Sequence, residues 1–449
     1  MLASWLLLPF LMGSPGDGDA ASRLDNDTLP ALWIHGERII LRPGVELEDA
    51  SILVEKGVIV AIGADLEAPE GARKIEGKVI CAGFIDPWTS LGLDPTSIAD
   101  VRTQASTLTT DSLDPFSLPH LRQEALEAGV TSLRLQAGKR AALGGLGAVV
   151  RTSALQQSEV LLGDACLAVT LSSALASRRS DIFSRAAELV RLMGQLREGE
   201  KYRQDQVEYR HELEAWQKEI AEATKELADD FKKAKKKRDK DKKSAAEKDK
   251  EFKEKKYKED KEPKKPKQDP NRAIMARVAE GELPLVIEAR DISTIRNLLS
   301  ETKSLQRLRV VISGADGAGF FAEELAERKI PVLLFPSAGA GGLKGRADLD
   351  LALAGELSRA GVPVLIGSGG GGSSRDLRLL AAMAISHGLS PEAALNAITY
   401  GPAKAFDVSD RIGSLKRGLD ADILVFDGEP MDTRSTLQFV ISRGRVVAE

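Results

Sequence analysis

A chain of 449 residues is long enough for two or three domains, or for one large barrel with additions. Hydrophobic residues make up 43% of it, which supports a sizeable core and excludes wholesale disorder. The net charge of −4 hides an asymmetry, because residues 225–269 hold 20 Lys and Arg against 13 Asp and Glu, a local charge of +7 that leaves −11 for the rest.

The first residues carry a short apolar run. Residues 2–12 include Trp5, Phe10 and three consecutive leucines, and small residues surround Ala20. The run is too short to span a bilayer, and its pattern is typical of a signal peptide. We therefore expect residues 1–22 to be a signal peptide, and the protein to be exported to the periplasm or the extracellular space.

Both ends of the remaining chain contain short runs of alternating apolar and polar residues, separated by glycines. They lie within residues 30–78 and residues 406–449. Such runs are typical of small antiparallel strands. The sequence predicts one composite β-sandwich, built from both ends of the chain.

The middle of the chain alternates apolar strand-like runs with amphipathic helical segments, which favours a parallel sheet or barrel. The eight runs cover residues 79–86, 130–136, 147–152, 166–171, 284–289, 309–314, 331–336 and 363–368. Eight strands match a TIM-type (β/α)8 barrel of the α/β class, in which sites lie at the carboxyl ends of the strands. Strands 1–4 are assigned to residues 79–180 and strands 5–8 to residues 273–405.

Residues 181–272 interrupt this alternation with a charged helical segment, predicted to be an inserted arm with coiled-coil character. An apolar stripe at three- and four-residue spacing runs along it, formed by Trp216, Ile220, Leu227, Phe231 and Ala234. The stripe predicts that the proximal half of the arm packs on something. The lysine-rich tract beyond it fits an anionic surface or an acidic partner, whereas its interleaved acids and scarce aromatics argue against nucleic acid.

Three stretches carry a resemblance to a known family. Residues 83–92 (GFIDPWTSLG) follow a strand, residues 389–399 (LSPEAALNAIT) form a helical segment, and residues 411–423 (RIGSLKRGLDADI) lead into the last strands. In this order and spacing they resemble the amidohydrolase superfamily, closest to its imidazolonepropionase-related members. The resemblance covers nearly the whole chain except the leader and the arm. It implies a barrel enzyme that hydrolyses C–N bonds with metal-activated water.

The metal ligands of that family do not carry over. Its first-strand histidines fall on Trp88 and Ser90, its fifth-strand histidine on Glu288, its sixth-strand histidine on Gly314 and its eighth-strand aspartate on Gly369. An indole N–H only donates, and a neutral hydroxyl is a poor ligand for a metal ion. Of the five positions, only Glu288 retains a metal-binding group, so we expect no bound cofactor.

Two other sites at the barrel mouth stay open as alternatives. Asp86, Glu288 and Asp316 could form a rebuilt carboxylate site for a divalent metal such as Zn²⁺. Two glycine-rich loops, after strands seven and eight, could bind a small anion through backbone N–H groups. The residues that would bind this anion are Lys344, Gly369, Gly370, Ser373 and Arg375.

The histidines and cysteines indicate no further site. None of His35, His120, His211 and His387 falls at the end of a predicted barrel strand, so we expect surface or structural roles. The two cysteines, Cys81 and Cys166, have no metal-ligand spacing, and the sequence leaves a disulfide between them open.

The leading functional hypothesis is an amidohydrolase relative that has lost its metal site. We expect it to be catalytically inactive and to act as a binding or scaffolding subunit, beside an active paralogue or in an oligomer. The first alternative is an active hydrolase of cyclic amides or similar small substrates, with the rebuilt carboxylate site. The second is a binder of a small anionic ligand at the barrel mouth.

Overall fold

The computed structural model describes residues 29–94, 96, 102–114, 116–137, 141–153, 158–171, 185–241, 261–335, 352–370 and 373–449. The expected signal peptide, residues 242–260 of the basic segment and Lys344 lie outside the described residues. In the part of the chain that is described, no helix is long and apolar enough to cross a membrane.

Fifteen strands and nine α-helices are used below, all within the described ranges. The strands are β1 (Leu32–Arg42), β2 (Val45–Glu55), β3 (Val58–Gly63), β4 (Arg73–Ala82), β5 (Phe84–Thr89), β6 (Val130–Leu135), β7 (Leu143–Arg151), β8 (Val160–Thr170), β9 (Leu285–Glu288), β10 (Val310–Ser313), β11 (Val332–Leu334), β12 (Val364–Ile366), β13 (Ile423–Phe426), β14 (Leu437–Ser442) and β15 (Arg445–Ala448). The helices are α1 (Pro119–Glu127), α2 (Arg185–Asp241), α3 (Pro270–Ala279), α4 (Ile292–Thr302), α5 (Ala322–Glu327), α6 (Leu353–Arg359), α7 (Leu377–Ser386), α8 (Pro391–Ala397) and α9 (Tyr400–Ala405).

The two ends of the chain meet in one sheet of seven strands, in the order β15-β14-β13-β4-β1-β2-β3. Its junction is the antiparallel pairing of β13 with β4. The segment before β13 reaches back to the edge strand β3, where the backbone N–H of Ile59 donates to the carbonyl of Leu419 at 3.0 Å. This seven-stranded sheet, called the curled sheet below, has an apolar core of its own and is consistent with the composite domain predicted from both ends of the chain.

The second sheet contains eight strands in the order β12-β11-β10-β9-β8-β7-β6-β5. The sheet nearly closes into a barrel where β12 returns to β5. There the backbone N–H of Gly369 donates to the carbonyl of Trp88 at 3.3 Å. All eight predicted strand regions are present, and the barrel-like α/β fold is confirmed.

One strand departs from the expected parallel pattern. β7 runs antiparallel to both β6 and β8, whereas the strands from β8 to β12 are parallel to one another. The connections on either side of β7, residues 136–142 and 152–159, are shorter than the dozen or so residues that a parallel crossover requires. The chain therefore reverses at both ends of β7, and this strand begins at the end of the barrel where its neighbours finish.

The chain crosses from the curled sheet into the barrel at Gly83. β4 continues to Ala82 in the first sheet, and β5 begins at Phe84 in the second, so the predicted single strand over residues 79–86 is divided. A Cβ on Gly83 would collide with the side chain of Thr131. Only glycine fits this crossing point.

Helix α2 extends over 57 residues, and its two halves have different surroundings. Leu189, Leu192 and Leu196 are buried in the same apolar cluster as the barrel strands, next to α3. The base of the predicted arm is therefore part of the helical layer between β8 and β9. The predicted stripe is largely exposed, at 45% for Ile220, 48% for Leu227 and 77% for Phe231. That the stripe packs on something, such as a partner, stays a prediction.

Along the barrel strands, side chains point alternately into the barrel and towards the helices, and the inward ones fill the barrel interior. Val286, for example, belongs to the interior cluster, whereas its neighbours Leu285 and Ile287 pack against the helices. The other interior side chains on the strands are Ile85, Val149, Ala165, Cys166, Val311, Leu333 and Leu365. By the same alternation, Glu288 at the end of β9 faces the mouth of the barrel.

Candidate functional site

The first-strand positions hold an aromatic contact at the barrel mouth. The indole of Trp88 packs against Phe335, with ring centroids 4.9 Å apart and planes tilted by 47°. Phe335 follows β11, so this contact crosses the end of the barrel. Ser90 is buried behind the contact. The two positions where the resemblance implies metal-binding histidines therefore carry an apolar ring and a buried hydroxyl.

Asp86 joins the two strands that close the barrel. Its Oδ1 accepts hydrogen bonds from the backbone N–H of Trp88 at 3.2 Å and of Ser368 at 3.1 Å, and its Oδ2 accepts from the hydroxyl of Ser374 at 2.7 Å. The carboxyl is fully buried. Burial raises the pKa of Asp86, and the hydrogen bonds from Ser368, Ser374 and Trp88 oppose that rise. This environment suits a structural carboxyl rather than a metal ligand.

Glu288 and Asp316 lie on the two sides of one arginine. The Nε of Arg290 donates to Oε1 of Glu288 at 2.9 Å, and its Nη1 lies 3.6 Å from Oδ2 of Asp316. Glu288 is 17% exposed and Arg290 is 30% exposed. The predicted cluster of Asp86, Glu288 and Asp316 is thus divided. Asp86 accepts its hydrogen bonds at the β5–β12 seam, where the barrel nearly closes, whereas the other two carboxylates face Arg290.

The two glycines at family ligand positions have backbone conformations that favour glycine. Gly314 has φ of +77° and Gly369 has φ of +75°. A Cβ on Gly314 would lie 3.1 Å from Cγ of Arg290, and a Cβ on Gly369 would lie 3.3 Å from the ring of Phe335. Neighbouring side chains therefore take the space that a ligand side chain at either position would need.

The predicted anion site is only partly described. Arg375 extends to α1, where its Nη1 donates to Oε2 of Glu124 at 2.6 Å. The carbonyl of Gly370 accepts a hydrogen bond from the hydroxyl of Thr89 at 3.3 Å, and Ser373 precedes the turn that contains Ser374. Arg375 is thus already bonded to a carboxylate, and the cationic partner expected with it, Lys344, lies outside the described residues.

The histidines and cysteines have structural surroundings. His35 stacks on Trp33 in the curled sheet, and His387 follows α7, where its Nδ1 lies 2.8 Å from the carbonyl of Met383. Cys81 and Cys166 are both buried and free, so no disulfide joins them. Burial raises the pKa of the Cys81 thiol.

An arginine that the sequence did not single out lies inside the barrel. Arg134 on β6 is fully buried. Its Nη2 donates to Oε1 of Gln136 at 2.5 Å and to Sγ of Cys166 at 2.8 Å, and its guanidinium carbon lies 5.2 Å from the ring centroid of Phe406. The signal for it was one charged residue in an otherwise apolar barrel strand, with Ser132 and Gln136 two positions to either side. Arg290 and Ser374 had no comparable sequence signal.

The residues present do not fit the divalent metal that the resemblance implies. Within the described ranges, no group of three or more His, Cys, Asp or Glu side chains is placed to hold a metal ion. Of the five carried-over positions, Glu288 alone has a ligating group, and that carboxylate bonds to Arg290. A catalytic metal needs several ligands and an open coordination position.

Among the cavities of the described structure, two lie against the helical layer and the curled sheet, outside the barrel mouth. One of about 200 Å³ is lined by Leu143, Leu171 and Arg191, between β7, β8 and the base of α2. The other, of about 510 Å³, lies between the curled sheet and α8 and is lined by Ile40 and Glu392 among others. Neither is lined by Trp88, Glu288 or Asp316.

Comparisons with known proteins agree with this architecture. Residues 344–448 match the model of the amidohydrolase family. No curated protein matches the chain significantly in sequence. The solved structure of an amidohydrolase from Thermotoga maritima MSB8 is 20% identical, with 93% of this chain and 99% of that chain covered, at a TM-score of 0.68.

Two further solved structures share the fold at lower identity. A prolidase complexed with N-methylphosphonate-L-proline is 15% identical, with 93% of this chain and 100% of that chain covered, at a TM-score of 0.53. The ochratoxinase of A. niger is 13% identical, with 94% of this chain and 96% of that chain covered, at a TM-score of 0.52. Residues 344–448 are thus similar to the amidohydrolase family, and the chain shares its fold with these solved structures.

Proposed function

We propose that this protein is an amidohydrolase relative without hydrolytic activity, which acts as a binding or scaffolding subunit beside an active paralogue. The observation that carries the proposal is the pairing of Glu288 with Arg290. It engages the one carboxylate that remains among the five carried-over ligand positions. The contact of Trp88 with Phe335 supports the same conclusion, because an aromatic pair fills the space beside two of those positions.

The two alternatives are less well supported by the geometry. A rebuilt carboxylate site needs Asp86 beside Glu288 and Asp316, whereas Asp86 is fully buried and accepts three hydrogen bonds at the β5–β12 seam. A site for an anionic ligand needs an available cation, whereas Arg375 is bonded to Glu124.

The exposed stripe of α2 is the surface that we assign to a protein partner. Ile220, Leu227 and Phe231 are 45%, 48% and 77% exposed and recur at four- and seven-residue spacing, so they form an apolar stripe along one side of the helix. We further propose that the protein is exported, on the basis of the leader-like residues 1–22. The expected partner is a chain of the same fold that retains the metal-binding histidines.

Elemental analysis tests the loss of the metal site. We expect the purified full chain to contain close to no bound metal per chain, both as purified and after incubation with Zn²⁺, Mn²⁺ or Ni²⁺ and desalting. We also expect no turnover of cyclic amides or N-acyl amino acids. One metal per chain, lost in Glu288→Ala and accompanied by hydrolysis, would establish the rebuilt enzyme instead.

Sedimentation velocity tests the partner surface. We expect the wild type to sediment as a complex, either with itself or with the co-expressed paralogue. The double substitution Leu227→Ser with Phe231→Ser should weaken that complex. Phe320→Ser is the matched control, because Phe320 is 78% exposed on the barrel surface, away from the arm. Equal weakening by the control would remove the arm from the interface.

A further inference from the structure

Arg290 has a position that the proposed function leaves unexplained. It follows β9 directly, and its backbone carbonyl accepts a hydrogen bond from the N–H of Gly317 at 2.8 Å. The loops after β9 and β10 are thereby held together beneath its side chain. The guanidinium then bonds to Glu288 at 2.9 Å and approaches Asp316 at 3.6 Å. Backbone and side-chain contacts both fix the location of this charge.

The same side chain also covers Gly314. A Cβ on Gly314 would lie 3.1 Å from Cγ, 3.2 Å from Cζ and 3.3 Å from Nε of Arg290. Glu288 and Gly314 are the two positions at which the resemblance places the metal-binding histidines of the fifth and sixth strands. The guanidinium therefore lies between two positions that would have faced the metal.

We propose that the guanidinium of Arg290 takes the place of the divalent cation at the barrel mouth. This inference rests on the proposed loss of the metal site, and it names the group that replaced the metal. A guanidinium provides a permanent positive charge for Glu288 and Asp316, and its planar donors match carboxylate oxygens. It has no open coordination position, so the mouth keeps its charge balance without a means to activate water.

Glycine at position 314 is part of the same replacement. A histidine there would require the Arg290 side chain to move, and its backbone would have to adopt φ of +77°, which residues with side chains rarely do. Glycine at position 314 therefore leaves the Arg290 side chain where it lies, whereas a histidine there would displace it and strain the backbone.

Metal response in thermal unfolding tests the replacement. The full chain is compared with Arg290→Ala, Glu288→Gln and the double variant, each with EDTA and with millimolar Mn²⁺ or Zn²⁺. We expect Arg290→Ala to lower Tm by about 1–3 °C in EDTA, because Glu288 loses its partner in a partly buried setting. Adding metal should raise the Tm of Arg290→Ala by about 1–2 °C, because the Glu288 carboxylate no longer faces a guanidinium and binds the cation beside Asp316.

The wild type and three further variants show whether a rise of Tm with metal depends on the removal of Arg290. The wild type and the double variant should show no rise of Tm with metal, because the first retains the guanidinium and the second lacks the Glu288 carboxylate. Arg309→Ala is the matched control, because Arg309 pairs with Asp407 at 2.7 Å in an exposed ion pair elsewhere. Arg290→Lys keeps a positive charge and provides a conservative variant, expected to remain insensitive to metal.

The outcomes separate this inference from the proposed function. If Arg290→Ala gains no metal response while the wild type stays metal-free and inactive, the replacement by Arg290 is wrong and the proposed function stands. If the wild type itself binds one metal per chain and its Tm rises with metal, both are wrong. A metal response confined to Arg290→Ala supports the replacement.

Discussion

Glu159 shows how strongly neighbouring charges act on one carboxylate in this protein. Its Oε2 lies 2.9 Å from Nε of Arg151 and 2.8 Å from Nη1 of Arg443, and its Oε1 lies 2.9 Å from Nη2 of Arg411. Burial by itself would raise the pKa of Glu159, but the three arginines lower it to about 2. The ionised form is therefore favoured in the folded chain.

This pKa predicts a pH dependence of stability. Because the folded pKa lies below the ordinary value of 4.5, Glu159 stabilises the fold above about pH 4.5, and that contribution is lost as the pH falls towards 2. The contribution at neutral pH is about 3 kcal/mol. Urea unfolding of the wild type and of Glu159→Gln should differ most at pH 7 and converge as the pH falls from 4.5 towards 2. A difference that does not depend on pH would contradict this assignment.

The residue scale is also where the sequence was least informative. Trp88, Glu288 and Gly314 were identified as the changed ligand positions, but nothing in the sequence indicated that Arg290 lies against two of them. Ser374 was passed over for its neighbour Ser373, although Ser374 bonds to Asp86 at 2.7 Å. In a run of small polar residues, only the backbone path decides which hydroxyl faces inward.

At the scale of elements, helix α2 contains two glycines with opposite surroundings. A Cβ on Gly199 would lie 2.5 Å from the backbone nitrogen of Ala276 in α3, whereas a Cβ on Gly194 would meet nothing within 4 Å. Gly199 therefore permits the close approach of the base of the arm to α3. Gly194 has no such packing role in the described structure.

These two glycines give a matched pair of substitutions. Gly199→Ala should lower the free energy of unfolding by about 1–3 kcal/mol, because the added methyl group forces the two helices apart. Gly194→Ala should raise it by up to about 1 kcal/mol, because alanine favours the helix. Urea unfolding followed by circular dichroism measures both. The contact between α2 and α3 would be in doubt if both variants were equally stable.

At the scale of the whole molecule, a buried charge network joins the barrel to the curled sheet. Arg151 at the end of β7 bonds to Asp422, to Asp420 at 2.7 Å and to Glu159 at 2.9 Å. Arg411 and Arg443 complete it, so three cations face three carboxylates. The reversed direction of β7 is what brings Arg151 to the face where the curled sheet lies.

Removing the Arg151 side chain should therefore destabilise the contact between the two sheets. Arg151→Met leaves three carboxylates with fewer partners in a buried setting, and should lower the free energy of unfolding by about 3–5 kcal/mol. Arg434→Met is the control, because the pair of Arg434 with Asp432 is exposed at the surface, and no measurable change is expected. Thermal unfolding of the wild type and of both variants at pH 7 measures these changes in stability. Equal destabilisation by the two substitutions would exclude a role for the network in joining the two sheets.

The motif around Arg411, Asp420 and Asp422 shows what sequence resemblance determines. It indicated the family domain, and the match over residues 344–448 agrees with it. The structure assigns those same side chains to the network with Arg151, which the motif did not indicate. A motif indicates a resemblance, whereas the contacts of its side chains depend on segments elsewhere in the chain.

The sequence by itself determined the eight barrel regions and the joining of the two chain ends in one domain, and it predicted the changed ligand positions, because periodicity, glycine placement and motif spacing are local properties. Only the tertiary structure decided the direction of β7, the curl of the first sheet and the partners of Asp86, Glu288 and Arg151. Asp86 and Ser374 are 288 residues apart, and Arg151 and Asp422 are 271 apart. Contacts over such separations depend on how whole elements pack, and local sequence patterns do not encode that packing.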